Sequence, residues 1–266
     1  MSVDAMPAPP SPSGGNPPAQ RTMDPGCFAI TSDKKYFSLV GQDGRGRFIK
    51  RSLTEAEWLI RESGTPIPAT YDVAAHVRNE AAAIAFVRAH TDVPVPNVVC
   101  SFDDGGRTYL IENEVPGVNM ADLPDDAKAV VMQEVEAHLR ALHSVKGTSM
   151  GGFCGVACLP YRLARILPKG EKVTFQPDVA HELVLCHNDL SQHNIIVDPQ
   201  TLKINAIVDW EFAGFYPVQF EFPFYRRKFG EKTDVPELLE IVEACASEDS
   251  QGITSKVNLS QATKVQ

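Results

Sequence analysis

The sequence predicts a two-lobed α+β fold: a small antiparallel five-stranded lobe with one helix, then a mainly helical lobe carrying a β-ribbon. Three observations carry this reading. Short runs of β-branched and aromatic residues, split by turn residues, fill the stretch from Cys27 to about residue 116. One alanine-rich helical pattern interrupts them between the third and fourth runs. A strongly amphipathic helical pattern follows, and after it two apolar runs flank the turn sequence "PQTL".

The first twenty residues contain six prolines and almost no large apolar side chains, so they cannot offset their chain entropy and read as disordered. "CFAIT", "YFSLV" and "RFIKRSL" read as three strands, separated by the turns "SDKK" and "GQDGRG". The looser "TEAEWLIRESGTPIPATYD" leads into "VAAHVRNEAAAIAFVRAHT". There Val77, Ala81, Ile84 and Ala85 fall at helical spacing and Arg88 points outward. Prolines in "VPVPN" end that helix. "NVVCSF" and "TYLIENEV" read as a hairpin through "DDGG", and "PGVNM" as a hinge. The second lobe opens with "DDAKAVVMQEVEAHLRALHSV", a helix with Val130, Val131, Val135, Leu139 and Leu142 on its apolar face. After the glycine-rich "GTSMGGFCG" and a poorly patterned stretch come a polar loop, the strand "NIIVD", a turn and the strand "KINAIVDW". The expected boundaries are a tail over 1–26, lobes over 27–116 and 117–245, and a loose tail over 246–266.

Hydrophobic content of 43% and charged content of 22% suit a globular chain. No run of 18 apolar residues exists, which argues against a membrane span. The first twenty residues lack the basic and apolar regions of a secretory signal, so the expected location is cytoplasmic. The six cysteines are scattered and read as free buried thiols, and Cys154 and Cys158 have no second pair to complete a zinc site. A net charge of −9 without a basic cluster argues against nucleic acid as a partner. Nothing in the sequence specifies an oligomeric state.

The chemistry concentrates in His187-Asn188-Asp189-Leu190-Ser191-Gln192-His193-Asn194. A histidine, an aspartate two positions on and an asparagine five beyond that match the spacing of a kinase catalytic loop. Phosphoryl transfer explains the spacing. One carboxylate accepts the proton of the attacking hydroxyl, and an amide oxygen reaches a Mg²⁺ on the nucleotide phosphates. A second metal carboxylate belongs at the end of the next β-ribbon, where Asp209 stands. Capping of a turn by Asp189 and Asn194 would explain each residue separately but not their clustering.

The stretch "CHNDLSQHNIIVDPQTLKINAIVDWEFAGFYP", with "GRFIKRSL", "NEAAAIAFVRAHTDVPVPNVV" and "YLIENEVPGVNM", resembles the aminoglycoside phosphotransferase and choline kinase superfamily, most closely its fungal members of unassigned substrate. The resemblance runs from about Phe28 to Arg227. It implies a protein-kinase-like fold, ATP or GTP with Mg²⁺, and phosphoryl transfer to a small-molecule hydroxyl. By position, Asp189 would be the catalytic base, with His187 in the same loop as its brace. Asn194 and Asp209 would be the Mg²⁺ ligands. Lys50 would meet the α- and β-phosphates with Glu80 as its partner, and the backbone from Asn113 to Val115 would hold the base. Strand alternation puts only one of Lys50 and Arg51 on the nucleotide-facing side.

Several features depart from protein kinases. "SDKK" lacks a glycine-rich phosphate loop, which leaves backbone amides and Ser32 to cover the phosphates. Glu112 is an unusual acid just before the hinge. No A-P-E element follows Asp209, and Ser191 stands where protein kinases carry lysine. Acceptor contacts are therefore expected from 117–186 and from Glu211, Glu221, Tyr225 and Arg226, whose acids suit an amine-bearing substrate. Gly147-Thr148-Ser149-Met150-Gly151 matches a hydrolase elbow but lacks the strand before it and the helix after it. The competing class is a nucleotide-binding pseudokinase acting as a scaffold.

Overall fold

The computed structural model describes residues 23–69, 71–155, 159, 182–227 and 235–246. Residues 1–22 and 247–266, the bulk of both expected tails, lie outside the described residues. The chain groups into two compact units. One takes the residues up to Val77 with Asn97–Glu114, and the other takes Arg78–Pro96 with everything from Val115 on.

In the first unit, β1 (Cys27–Ile30), β2 (Lys34–Val40) and β3 (Gly46–Ser52) form a meander. A small hairpin, β4 (Leu59–Ile60) and β5 (Pro66–Ile67), follows, and then β6 (Val98–Asp104) and β7 (Arg107–Asn113). The main sheet runs β1-β2-β3-β7-β6 and is antiparallel throughout, the five strands the sequence predicts. The register settles which basic residue faces which way. Lys50 lies opposite Tyr36 and Leu110, and Arg51 opposite Lys35 and Tyr109, so the two occupy opposite faces.

On its face Arg51 grips Glu57 through both guanidinium arms, at 2.6 and 2.8 Å, and reaches Asp24 at 2.7 Å. Lys35 joins them, 2.9 Å from Glu57 and 3.0 Å from Asp24. The Arg51 hydrogen bond, working against burial, holds the Glu57 carboxyl well below the usual carboxylate range. Glu57 is placed for this by a capping box, since the Thr54 N–H donates to Glu57 at 3.0 Å. That T-x-x-E signal stood in the "loose" connection of the sequence reading and marks the short helical turn Glu55–Glu57.

Helix α1 (Val73–His90) begins in the first unit and continues in the second. Its buried positions are His76, Val77, Asn79, Glu80, Ala83, Ile84 and Val87, a stripe at helical spacing. Ala85, expected inside, is exposed. The correction follows from the polar residues His76, Asn79 and Glu80, which take inward positions and rotate the stripe away from it.

The second unit adds two small sheets. β8 (Val118–Asn119), β12 (Ile195–Val197) and β13 (Ile204–Ile207) form one, in the order β13-β12-β8, so the expected ribbon gains a third strand. Gly117 makes that pairing possible. Its φ is +132°, and a Cβ there would sit 2.5 Å from the Val197 carbonyl oxygen. The other sheet, β10-β14-β11-β9, joins β9 (Lys146–Gly147), β10 (Gly151–Gly152), β11 (Leu183–Cys186) and β14 (Gly214–Pro217). Helix α3 (Val235–Cys245) closes the described chain.

Helix α2 (Asp125–Ser144) buries Val131, Val135, Leu139 and Leu142, whereas Val130 is 52% exposed. Adjacent helical residues diverge by about 100°, so Val130 and Val131 cannot share one face. Leu142→Ala should therefore lower stability by roughly 2–5 kcal/mol, and Val130→Ala by less than about 0.5 kcal/mol. Urea unfolding of both variants measures the contrast.

No helix among the described residues is long and apolar enough to cross a membrane. The described cysteines are free, but Cys100 and Cys154 are exposed, against the expectation of buried thiols. Cys100 lies on the edge strand β6, which no neighbour covers on its outer side within the sheet. Cys158, the second residue of the C-x3-C pair, lies outside the described residues.

Candidate active site

Strand β11 ends at Cys186 and delivers the chain into the loop from His187 to Asn194; β12 and β13 then carry it to Asp209. Ile195 pairs with Ile207, and the Val208 N–H donates to the Asn194 carbonyl at 2.9 Å. Asn194 and Asp209 therefore stand at the same end of one ribbon. This is local geometry: a short turn folds two β-branched runs together, and the polar residues just outside the pairing are left at its end.

The loop is tied on every side. His187 Nδ1 accepts the Asp189 N–H at 3.2 Å, so that nitrogen carries no hydrogen; Nε2 must be the protonated one, donating to the Val208 carbonyl at 3.0 Å. The neutral ring packs 4.5 Å from the Trp210 ring. Nδ1 of His187 thus braces the loop internally, and Nε2 ties it to the ribbon. Asn188 takes a left-handed conformation, φ +66°, and donates its side-chain amide to the Phe212 carbonyl at 3.0 Å. Asparagine tolerates that conformation better than most residues.

Glu221 holds the loop from beneath. Its carboxylate accepts the N–H groups of His187 and Asn188, the latter at 3.3 Å. Burial pushes its pKa up to about 7, against the lowering effect of those two N–H donors. A ring nitrogen of His143, Cys186 Sγ and a Glu221 oxygen all lie within 4.8 Å of one another. Three such donors are a starting point for a metal site. Here both carboxylate oxygens are already committed to main-chain N–H groups, which accounts for Glu221 as a brace.

Asp189 is 9% exposed. The Asn194 side-chain nitrogen donates to the Asp189 carbonyl at 2.7 Å and to its carboxylate at 3.2 Å. That fixes which end of the amide faces Asp189 and turns the amide oxygen the other way, as an oxygen donor. Asp209 has φ +68° and opens the helical turn Trp210–Phe212. An amide oxygen and a carboxylate at one end of a ribbon are hard donors of the kind Mg²⁺ takes, so these residues fit that ion.

The other predicted residues fall as follows. Lys50 is buried in β3, and Glu80 is fully buried in α1, in the other unit. Ser32 Oγ donates to the Asp33 carboxylate at 3.3 Å within the β1–β2 turn. That turn is anchored by the Tyr71 hydroxyl, 2.6 Å from Asp33, and by Lys34, 2.9 Å away. Burial would raise the Asp33 pKa, but Lys34 and these hydrogen bonds outweigh it and hold the carboxyl far below its usual range. The Asn113 N–H donates to the Asn97 carbonyl at 2.9 Å, while Val115 belongs to the second unit. Glu112 pairs with Phe48, which puts it on the Lys50 face of the sheet, and it is buried.

Three of the expected acceptor contacts are corrected. Glu211, Glu221 and Tyr225 are buried, Glu221 because its carboxylate turns inward to the backbone of the 187–194 loop. Arg226 is exposed and pairs with Glu136 at 2.5 Å. Much of the segment 117–186 assigned to the acceptor lies outside the described residues. Sequence reasoning missed Asn79, Asn188 and the bracing role of Glu221. Only Asn79 left a usable signal, as a polar residue on the apolar stripe of α1.

The profile of the phosphotransferase enzyme family matches residues 38–248. An aminoglycoside 3'-phosphotransferase of Streptomyces ribosidificus is 23% identical over 193 residues, covering 64% of this chain and 72% of its own. One from Streptomyces fradiae is 24% identical over 138 residues, 44% of this chain and 52% of its own. The crystal structure of an aminoglycoside-3'-phosphotransferase of type VIII superposes with a TM-score of 0.52 at 17% identity, covering 91% of this chain and 92% of that one. The macrolide 2'-phosphotransferase MphH from Brachybacterium faecium gives 0.50 at 16% identity, over 81% and 74%. Both structures share the two-lobed kinase-like α+β fold.

Proposed function

The chain belongs to the phosphotransferase enzyme family and is by that membership a small-molecule kinase; on that premise we propose that it transfers the γ-phosphoryl group of ATP or GTP to a hydroxyl, with Asp189 as the base. One observation supports this above the others. The Asn194 side-chain amide holds Asp189 by its carboxylate and its main-chain carbonyl at once, while the Asn194 main-chain carbonyl accepts the N–H of Val208, the residue before Asp209. Three groups that the chemistry needs in fixed relation are thereby linked through short hydrogen bonds.

In this reading the Asp189 carboxylate orients the acceptor hydroxyl and takes its proton as the oxygen attacks phosphorus. The hydrogen bond from Asn194 steers one oxygen of that carboxylate. Mg²⁺, held by Asn194 and Asp209, would neutralise charge on the phosphate oxygens. Lys50, Glu80, Ser32 and the backbone of Asn113 and Val115 are the assignments kept for the nucleotide. The relatives named for aminoglycosides and a macrolide support a small-molecule acceptor. An amine-bearing acceptor rests on those names and no longer on Glu211 or Glu221, which are buried.

The test is thermal unfolding with ATP or GTP, with and without Mg²⁺, on wild type and Asp209→Asn. Nucleotide at about 100 times its Kd should stabilise wild type by ~2.7 kcal/mol in the presence of Mg²⁺. Asp209→Asn should lose that gain. No shift with either nucleotide would overturn the proposal.

A further inference from the structure

Asn79 is fully buried one position before Glu80 on α1. Its side-chain nitrogen donates to the carbonyls of Glu211 at 3.1 Å and Ala213 at 2.8 Å. Its side-chain oxygen accepts the N–H of Phe153 at 2.7 Å and of Cys154 at 3.3 Å. Two carbonyls on one end of the amide and two N–H groups on the other allow only one orientation of it. Both hydrogens and both lone pairs meet main chain. The segment held is the one that leaves Asp209: the helical turn Trp210–Phe212 and the start of β14.

The surroundings make this a rigid attachment. Gly151 and Gly152 of β10 pair with Phe215 and Gly214 of β14. The approach is so close that a Cβ on Gly214 would lie 2.3 Å from the Gly151 carbonyl oxygen. Phe86 of α1 packs 4.8 Å from the Phe153 ring and 5.6 Å from Phe215. Asn79 is the polar centre of this apolar joint, and a buried amide so fully matched is costly to disturb.

We infer that Asn79 is a positioning residue for the metal carboxylate: it anchors the chain leaving Asp209 to the helix that carries Glu80, and so sets how well Asp209 is placed to bind Mg²⁺. Asp209 opens this turn in a left-handed conformation, so the residues that Asn79 holds bear directly on its direction. The inference rests on the phosphotransfer reading for its metal, but not for its mechanics.

Asn79→Asp tests it with little change of shape, because the two accepting bonds persist and the two donating bonds become carboxylate facing carbonyl. Two readouts are needed. The Mg²⁺ concentration for half-maximal nucleotide stabilisation should rise about 10- to 100-fold, the range seen when groups behind a metal ligand are removed. Amide hydrogen exchange, measured without nucleotide or metal, should show loss of protection over residues 210–215, with β12 and α2 unchanged. Phe153→Leu serves as a packing control; it should lower the melting temperature and leave the Mg²⁺ response as in wild type. An Asn79→Asp protein with a lower melting temperature but wild-type exchange over 210–215 overturns the inference. If wild type itself shows no Mg²⁺ response, the phosphotransfer reading falls, and the exchange data still decide whether Asn79 holds the Asp209 segment.

Discussion

Asp189→Ala should lower turnover by roughly 10²–10⁴ while nucleotide and Mg²⁺ continue to stabilise the protein. The two effects separate because of how the loop is tied. The Asn194 amide loses the carboxylate, 3.2 Å away, but keeps the Asp189 carbonyl at 2.7 Å, a main-chain group that alanine also supplies. His187 keeps its bond to the residue-189 N–H and to Val208. The loop should therefore survive the substitution with its metal-side residues in place, losing only the proton acceptor. Steady-state turnover, measured beside thermal shifts, checks both halves. An unchanged rate would remove Asp189 from the mechanism, and a pseudokinase scaffold would then be the better account of the chain. Loss of the thermal shift would mean that Asp189 is needed to build the nucleotide site.

Glu221 should give the chain an unusual dependence of stability on pH. Its folded pKa is raised to about 7, well above an ordinary glutamate. A raised carboxylate means that the folded state keeps a proton which the unfolded chain has already released. The associated stability is present in full below the unfolded pKa and is lost as pH rises towards 7. The size is on the order of 3 kcal/mol. His143, which faces the same carboxylate, acts with the opposite sign. Burial, helped by Lys146, lowers its pKa, so its contribution is lost as pH falls. Cys186, the third member, has a thiol pushed up by burial and then by Glu221, and does not ionise in this window. Comparing wild type with Glu221→Gln isolates the glutamate, because the histidine and thiol are common to both. The difference in unfolding free energy should move in the variant's favour between pH 5 and 8. Urea unfolding across that range measures it, and a difference that stays flat would show Glu221 ionised throughout.

The parts of the site that were legible in the sequence are those made by neighbours in the chain. His187, Asp189 and Asn194 share one loop, and Asp209 follows from the ribbon because two β-branched runs and a turn can pair in essentially one way. The meander β1 to β3 and the hairpin β6–β7 were readable for the same reason. The sheet β10-β14-β11-β9 was not. Two of its strands are two residues long, "LVLC" is buried on both faces and shows no alternation, and "GFYP" ends in proline. Glu221 looked like a substrate acid because nothing around it in sequence reveals that its partners lie 33 and 34 residues earlier. Lys50 and Arg51 could be divided between faces by alternation, but their assignment needed Glu57 and Asp24, which only the fold brings to Arg51.

The attachment at Asn79 also dictates an order of events during folding. The β12–β13 ribbon closes a short turn and can form as soon as its residues are available, whereas the bond from Asn79 to Ala213 spans 134 residues. Closing a loop of that length carries an entropic penalty that local pairs avoid. During synthesis α1 must wait, with a polar amide on its apolar stripe, until the chain past Asp209 has emerged. The 187–194 loop and the ribbon can thus assemble before Asp209 acquires its fixed direction. Substitutions at Asn79 should accordingly speed unfolding far more than they slow refolding, the kinetic mark of a contact made after the barrier is crossed.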